Sequence, residues 1–172
     1  MIKIYTPRLQ LRNIELTDAS DMFDYAQDPE VGPNAGWSVH KNLVETQMII
    51  EMMVKQNNVY GIIYQNKMIG TIGIHQQNGK VYLGYVLGRD YWQKGIMHEA
   101  CKAVIIYLFC YTNYIVINAS TFIDNLRSQN VLEKLGFKFS HEGQTELKDK
   151  IVKTYEYELK KVDFERRLLP WQ

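Results

Sequence analysis

The chain has 172 residues, of which 46% are hydrophobic and 23% charged, and its 20 basic and 19 acidic side chains give a formal net charge of +1. This composition is typical of a globular domain that buries roughly 70% of its unfolded surface. The near-neutral charge argues against nucleic acid or an anionic membrane as a partner. We therefore predict a single domain over residues 1–172, with residues 160–172 as a C-terminal tail.

No segment predicts export or membrane insertion. The N-terminal MIKIYTPRLQ lacks the apolar core of a signal peptide, and the longest apolar-rich run, Ala103 to Cys110, is too short to span a bilayer. Cys101 and Cys110 lie roughly 13 Å apart along one predicted helix, which is too far for a disulfide. Both are assigned to core packing. With no disulfide and no signal peptide expected, the predicted location is cytoplasmic. The four histidines, which show no metal-ligand spacing and predict no metal site, are His40, His75, His98 and His141.

The first half of the chain predicts one strand and two helices before a strand-rich region. Arg8 to Ile14 alternates apolar and polar residues, as a half-buried strand does. The next segment reads as a helix with Thr17 or Asp18 as N-cap, and a second helix covers about Asn42 to Gln56. Between them, Pro29 to Trp37 carries two prolines and two glycines, which predicts a loop.

The second half predicts a mixed sheet. A hairpin turns near Gln65–Lys67, and another turn at Asn78–Gly79 leads to a third strand. A strand, a buried helix and a further strand then indicate a right-handed crossover, so the predicted class is α/β in layers. The remaining predicted elements are a helix at Lys94–Tyr111, a strand at Tyr114–Phe122, a helix closed by Gly136, and strands near Lys138–Glu142 and Lys153–Lys160.

The stretch GYVLGRDYWQKGIMHEA, Gly84 to Ala100, carries the chemistry. A strand that enters a glycine-containing loop at a helix N-terminus offers free backbone N–H groups and a positive dipole end, which suit phosphate or pyrophosphate. Gly95 lets a ligand approach the backbone, and Lys94 adds a cation. The loop matches neither common nucleotide-binding motif, and a simple turn is the alternative reading of Gly95.

Two motifs in combination resemble a known family. DYWQKGIMHEACKAVIIYLF, followed by DNLRSQNVLEKLGF, resembles the GNAT superfamily of acetyl-CoA-dependent N-acetyltransferases, and in particular its RimJ/RimL ribosomal-protein branch. The opening TPRLQLRNIELTDASDMFDYAQDPEV is similar to that branch as well. The resemblance implies the GNAT fold, a mixed, mostly antiparallel twisted central sheet with helices on both faces, and acetyl-CoA as the cofactor.

The resemblance also implies cofactor-binding residues. The family loop reads Q/R-x-x-G-x-G/A; here Trp92 stands at the first position, Gly95 matches the central glycine, and Met97 stands where Gly or Ala is usual. We expect Met97 to bring a long side chain near the phosphate arm. The implied set, in which a strand end pairs with the pantetheine arm and the loop holds the pyrophosphate, is Val86, Leu87, Trp92, Gln93, Lys94, Gly95, Ile96, Met97, His98, Asn125 and Ser128.

Acetyl transfer to an amine requires removal of a proton from the amine, a donor to the oxyanion, and a proton for the departing thiolate. By resemblance Ser128 or bulk water is the proton donor, because Leu132 occupies the position of the tyrosine that many relatives use. Glu146 is the candidate base, with Asp149 and His75 as alternatives. The competing interpretations are a helix cap for Ser128 and Asn125, and a solvated surface carboxylate for Glu146.

The sequence indicates less about the acceptor than about the cofactor. Asn34 and Trp37, on the loop between the first two helices, are candidates for lining its pocket, although Trp37 also suits a loop anchor. Glu99, in the first turn of the central helix, is assigned a structural role. The acids that would suit a polyamine or aminoglycoside, or form only a solvated helix face, are Asp18, Asp21, Asp24, Asp28 and Glu30.

The predicted function is direct transfer of the acetyl group of acetyl-CoA to a primary amine, a protein N-terminus or a small amine, through a ternary complex. The alternatives are a non-catalytic acyl-CoA-binding or sensing domain and a polyamine or aminoglycoside acetyltransferase. The C-terminal FERRLLPWQ suits either a surface that binds a partner or an anchor that packs the C-terminus onto the domain. A homodimer is one of the possible assemblies.

Overall fold

The structure is a computed structural model that describes residues 2–147 and 150–168. Two compact units are present: one contains residues 1–74 and 84–103, and the other contains residues 75–83 and those from 104 onward. The organisation as a single domain over residues 1–172 stays a prediction. No helix in the described part of the chain is long and apolar enough to cross a bilayer.

The described strands belong to a mixed, mostly antiparallel sheet, as predicted. They are β1 (Ile4–Tyr5), β2 (Gln10–Asn13), β3 (Val59–Tyr64), β4 (Lys67–Gln77), β5 (Lys80–Leu87), β6 (Val116–Phe122), β7 (Lys138–Leu147) and β8 (Lys150–Lys160). Their order is β1-β2-β3-β4-β5-β6-β8-β7. β5 and β6 run parallel, with Tyr82 opposite Asn118, which agrees with the predicted crossover between neighbouring strands.

The described α-helices are α1 (Ala19–Ala26), α2 (Leu43–Gln56), α3 (Ile96–Tyr111), α4 (Leu126–Leu135) and α5 (Lys161–Leu168). α2 begins where predicted because the Asn42 side chain accepts a hydrogen bond from the Glu45 N–H at 2.9 Å. The loop predicted over Pro29–Trp37 contains a short 3₁₀ turn at Pro33–Ala35, which proline permits at the start of a turn.

In the first unit, α1 is preceded by a 3₁₀ turn rather than by a side-chain cap. The Asp18 carboxylate instead accepts two hydrogen bonds of 2.7 Å from Arg12 and one from the Glu15 N–H. This pairing ties β2 to the start of α1. The buried core residues that this arrangement supports are Ile14, Ala19, Met22, Tyr25, Ala26, Val31, Ile50, Val59, Ile63 and Met68.

Both predicted strand turns are confirmed, because their residues adopt left-handed conformations. Gln65 and Asn66 connect β3 to β4, and Asn78 and Gly79 connect β4 to β5, all with positive φ. A strand missing from the prediction, β1, pairs with β2 over only two residues. So short an element carries too little periodicity to be recognised in sequence.

In the second unit, Lys161–Leu168 of the predicted C-terminal tail form a helix, α5. Phe164 is buried, with its ring centroid 5.6 Å from that of Phe109 on α3, and Lys161 donates to the Phe109 carbonyl at 2.6 Å. One apolar anchor among charged residues stabilises a helix that looks polar in sequence. Leu169 and Trp171, suggested as an anchor or partner surface, lie outside the described residues.

Candidate active site

The end of β5 is held close to β4 by a glycine. A Cβ atom at Gly70 would lie 2.4 Å from the Val86 carbonyl oxygen and 3.0 Å from the Leu87 Cα. The Gly88 N–H donates to the Ile69 carbonyl at 2.8 Å. A larger residue at position 70 would therefore displace the end of β5. This strand end is the one predicted to guide a cofactor arm.

Trp92 holds the loop that follows β5 against the end of that strand and the core. Its indole Nε1 donates to the Leu87 carbonyl at 2.8 Å, and the ring packs against the core of the first unit. A 3₁₀ turn at Arg89–Tyr91 lies between these two residues, and the Tyr91 N–H donates to the Gly88 carbonyl. Trp92 thus fixes the path of the loop from strand to helix.

The loop then reverses through two left-handed residues, Gln93 with φ +59° and Gly95 with φ +72°. The first hydrogen bond of α3 runs from the Glu99 N–H to the Gly95 carbonyl at 3.0 Å. The N–H groups of Ile96, Met97 and His98 precede that bond and have no hydrogen-bond acceptor among residues 2–147 and 150–168. Three orphan donors at the positive end of a 16-residue helix can bind an anion.

Met97 does not project as expected. Its side chain is buried, with 6% of the residue surface exposed, and its Sδ lies 3.4 Å from Cys101 Sγ. The long side chain therefore packs inward, while its backbone N–H stays in the first turn of α3. Ile96 is likewise buried, and Lys94 lies at the exposed side of the loop with its Nζ 5.7 Å from the Tyr91 ring centroid.

Arg8, to which the sequence analysis gave no role, contacts this loop. Its Nη1 donates to the Lys94 carbonyl at 2.9 Å, and its Nε donates to Glu99 Oε2 at 2.6 Å. Thr6 Oγ1 donates to Glu99 Oε1 at 2.6 Å. Partial desolvation alone raises the pKa of Glu99, but the hydrogen bonds from Thr6 and Arg8 outweigh it, so the pKa lies below its ordinary value. The opening motif TPR contained the only sequence signal for this group.

Trp37 anchors its loop, as one of its two interpretations required. Its ring lies 4.9 Å from that of the buried His40 and packs against the core of the first unit. A Cβ at Gly32 would lie 2.7 Å from the Trp37 ring. Asn34 donates from Nδ2 to the Glu30 carbonyl at 2.7 Å. Roles of Asn34 and Trp37 toward an acceptor stay predictions.

In the second unit, Asn125 is the N-cap of α4. Its side-chain oxygen accepts a hydrogen bond from the backbone N–H of Ser128 at 3.1 Å. The capping interpretation is thus correct for Asn125, and only the backbone of Ser128 takes part in this bond. Leu132, which occupies the family tyrosine position, is completely buried.

The candidate bases lie on strands of the second unit. Glu146 is exposed on β7 opposite Ile151 of β8. His75 is exposed near the end of β4, and partial desolvation lowers the pKa of its imidazole. Asp149 lies outside the described residues.

Both cysteines are free, as predicted. Cys101 is buried among apolar residues, and burial raises the pKa of its thiol. Cys110 is exposed, so its assignment to the core is wrong. The apolar run around it covers most of the circumference of α3, which obscured the position that faces water.

Comparisons with known proteins identify the family. The family described as acetyltransferase (GNAT) domain matches residues 8–138. An uncharacterized N-acetyltransferase p20 of Bacillus licheniformis is 34% identical over 148 residues, which cover 80% of this chain and 83% of that protein. A GNAT-family acetyltransferase structure from Bacillus anthracis superposes with a TM-score of 0.84 at 23% identity, covering 92% of this chain and 98% of the other.

A further structural neighbour is RimL, a ribosomal L7/L12 alpha-N-protein acetyltransferase in complex with coenzyme A. Its TM-score is 0.77 at 17% identity, with 92% of this chain and 98% of that chain covered. At this identity the likeness concerns the fold. Because the family match spans most of the sequence, the chain belongs to the acetyltransferase (GNAT) family.

Proposed function

We propose that this acetyltransferase transfers the acetyl group of acetyl-CoA directly to a primary amine. The observation that carries the proposal is the set of three orphan N–H groups, at Ile96, Met97 and His98, that follows the left-handed Gly95. A pyrophosphate needs several convergent donors and no side chain in the way, and the first turn of α3 offers both. The cradle is defined here as residues 92–98.

The residues present fit the cofactor. When bound, acetyl-CoA supplies an activated acetyl thioester. Lys94 is exposed within the cradle and adds positive charge toward phosphate, and the Met97 side chain packs inward against Cys101. Val86 and Leu87 offer extended backbone for the pantetheine arm, at a strand end that Gly70 holds against β4.

The catalytic roles rest on chemistry and on the family resemblance. Ser128 donates a proton to the departing thiolate, and Asn125 contacts the cofactor arm. Glu146 or His75 receives the proton of the amine, directly or through water. The lowered pKa of His75 keeps its imidazole neutral near pH 7, which suits a base.

The acceptor that we favour is a protein N-terminus. The support is the resemblance of the opening segment to the RimJ/RimL branch and the fold shared with RimL. Asn34 and Trp37 would then line the acceptor pocket, on a loop that the Trp37 ring fixes against the core. A small amine is the competing acceptor within the same reaction class.

Two measurements on the full chain test this proposal. Titration calorimetry with coenzyme A should show saturable binding, and its absence would overturn the cofactor assignment. Thiol release from acetyl-CoA should then be measured with peptides carrying free N-termini, with the same peptides blocked, and with small amines, a polyamine and an aminoglycoside. Release with free but not blocked peptides is expected. Coenzyme A binding without turnover on any amine would favour a non-catalytic binding domain.

Variants test the individual roles. Ser128→Ala keeps the α4 cap, because that bond uses the backbone N–H of Ser128, and should lower kcat more than it raises KM for acetyl-CoA. The acidic limb of the pH–rate profile reports the base, so Glu146→Gln or His75→Gln should remove that limb. Whichever variant leaves the profile unchanged is eliminated as the base.

A further inference from the structure

Arg8 is far from the cradle in sequence, but its side chain contacts the cradle in the fold. Its guanidinium joins two acceptors, the Lys94 carbonyl at 2.9 Å and Glu99 Oε2 at 2.6 Å, and its backbone N–H donates to Glu99 Oε1 at 3.1 Å. The side chain remains 42% exposed. Three bonds from one residue therefore connect the segment before β2 to both ends of the turn that starts α3.

The bond to the Lys94 carbonyl fixes the orientation of a peptide plane. In a trans peptide the C=O and the following N–H point in opposite directions, so a Lys94 carbonyl directed at Arg8 turns the Gly95 N–H away from Arg8. Glycine tolerates either orientation at little cost. A flipped peptide would aim a carbonyl oxygen into the space where the cradle receives an anion, and that dipole would repel it.

The bonds to Glu99 neutralise a negative charge that lies close to the proposed phosphate site. Glu99 lies in the first turn of α3, within the same turn as the three orphan N–H groups. An unpaired carboxylate there would repel a pyrophosphate. The Arg8 guanidinium and the Thr6 hydroxyl together pair both oxygens of this carboxylate. The pair keeps Glu99 ionised and directed at Arg8.

We propose that Arg8 is a positioning residue of the pyrophosphate cradle, which orients the Lys94–Gly95 peptide and neutralises Glu99 so that the first turn of α3 can accept the phosphates of coenzyme A. The inference rests on the proposed function, since it assigns a role within the same cradle. Arg8 acts through the loop, and its guanidinium needs no direct contact with the cofactor.

The test compares Arg8→Gln and Arg8→Lys with a matched control, Arg12→Gln. Arg12 is also paired to a carboxylate, that of Asp18, at 2.7 Å, but it has no bond to the cradle among the described residues. Affinity for coenzyme A is measured by calorimetry. Affinity for S-acetylpantetheine, which lacks the pyrophosphate, is measured by ligand-observed NMR, which registers weak binding. Thermal unfolding without ligand reports the stability of each variant.

Arg8→Gln should weaken coenzyme A binding about tenfold or more, because a charge-assisted hydrogen bond is lost and Glu99 loses its cationic partner. Binding of S-acetylpantetheine should stay within twofold of the wild type. Arg8→Lys should lie between, because an ammonium retains the charge but cannot bridge both acceptors as the guanidinium does. Arg12→Gln should bind coenzyme A like the wild type, whatever its melting temperature.

Three results would overturn the inference while leaving the proposed function intact. They are unchanged coenzyme A binding by Arg8→Gln, an equal loss of affinity for S-acetylpantetheine, and full affinity in Arg8→Lys. The second result would indicate that Arg8 has a general structural role. The third would indicate that only the positive charge of Arg8 matters and that it does not orient the Lys94–Gly95 peptide. Failure of the wild type itself to bind coenzyme A would instead overturn the proposed function.

Discussion

At the scale of single residues, the site depends on backbone conformation more than on reactive side chains. Gly95 and Gly79 share nearly the same left-handed φ, +72° and +74°, yet one precedes α3 and the other closes a strand turn. A Cβ at Gly79 would meet no atom within 4 Å, and at Gly95 only Arg8 Nη2 at 3.6 Å. Alanine at either position therefore meets the same conformational penalty with little steric clash.

This pair gives a controlled test of the cradle. Gly95→Ala and Gly79→Ala should each lose about 1 kcal/mol of unfolding free energy, measured in urea, because alanine disfavours positive φ. Only Gly95→Ala should weaken coenzyme A binding, by about tenfold, because a Cβ then borders the phosphate site and the loop relaxes. Equal coenzyme A affinities in the two variants would mean that Gly95 is an ordinary turn residue.

At the scale of secondary-structure elements, two helices begin with asparagine N-caps whose side chains accept a hydrogen bond from the backbone N–H three residues later. Asn42 accepts from the Glu45 N–H at 2.9 Å at the start of α2, and Asn125 accepts from the Ser128 N–H at 3.1 Å at the start of α4. Both residues stabilise a helix, but we assign a second role, toward the cofactor, to Asn125 alone. The two roles use different atoms, since capping needs only the side-chain oxygen.

Substitutions that keep or remove the cap separate these roles. Asn125→Ala and Asn42→Ala should each cost about 1 kcal/mol of stability, whereas Asn125→Asp should cost little because aspartate also caps helices well. If the amide of Asn125 contacts the cofactor arm, Asn125→Asp should still raise the KM for acetyl-CoA. Asn42→Ala should leave that KM unchanged. A normal KM in Asn125→Asp would reduce Asn125 to its capping role.

At the scale of the whole molecule, the two cysteines differ as possible covalent carriers of the acetyl group. Cys101 is buried and its thiol pKa is raised, so the thiolate is scarce, and Cys110 is exposed at the surface of α3. Direct transfer requires both substrates to be bound at once. The fold is that of the acetyltransferase (GNAT) family.

Steady-state kinetics distinguish the two routes. Direct transfer predicts that double-reciprocal plots at several amine concentrations intersect, and that Cys110→Ser keeps the wild-type rate. A covalent route would give parallel lines and an acetylated protein detectable by mass spectrometry when the amine is omitted. Either of these two observations would contradict the ternary complex.

The local elements could be predicted from the sequence, as could a glycine-containing loop before the central helix. Helix α2, the turns at Gln65–Asn66 and Asn78–Gly79, and the Gly136 helix end were all predicted, because each depends on residues that are close in sequence. The left-handed Gly95 at the start of α3 belongs to the same class of local signal.

The residues that contact this loop from other parts of the chain could not be predicted in the same way. Arg8 and Glu99 are 91 positions apart, and no local period relates them; strand register and packing bring them together. The same holds for Phe164, whose burial against Phe109 turns an apparently polar tail into α5. Local patterns encode conformation, whereas the partner of a side chain depends on the fold around it.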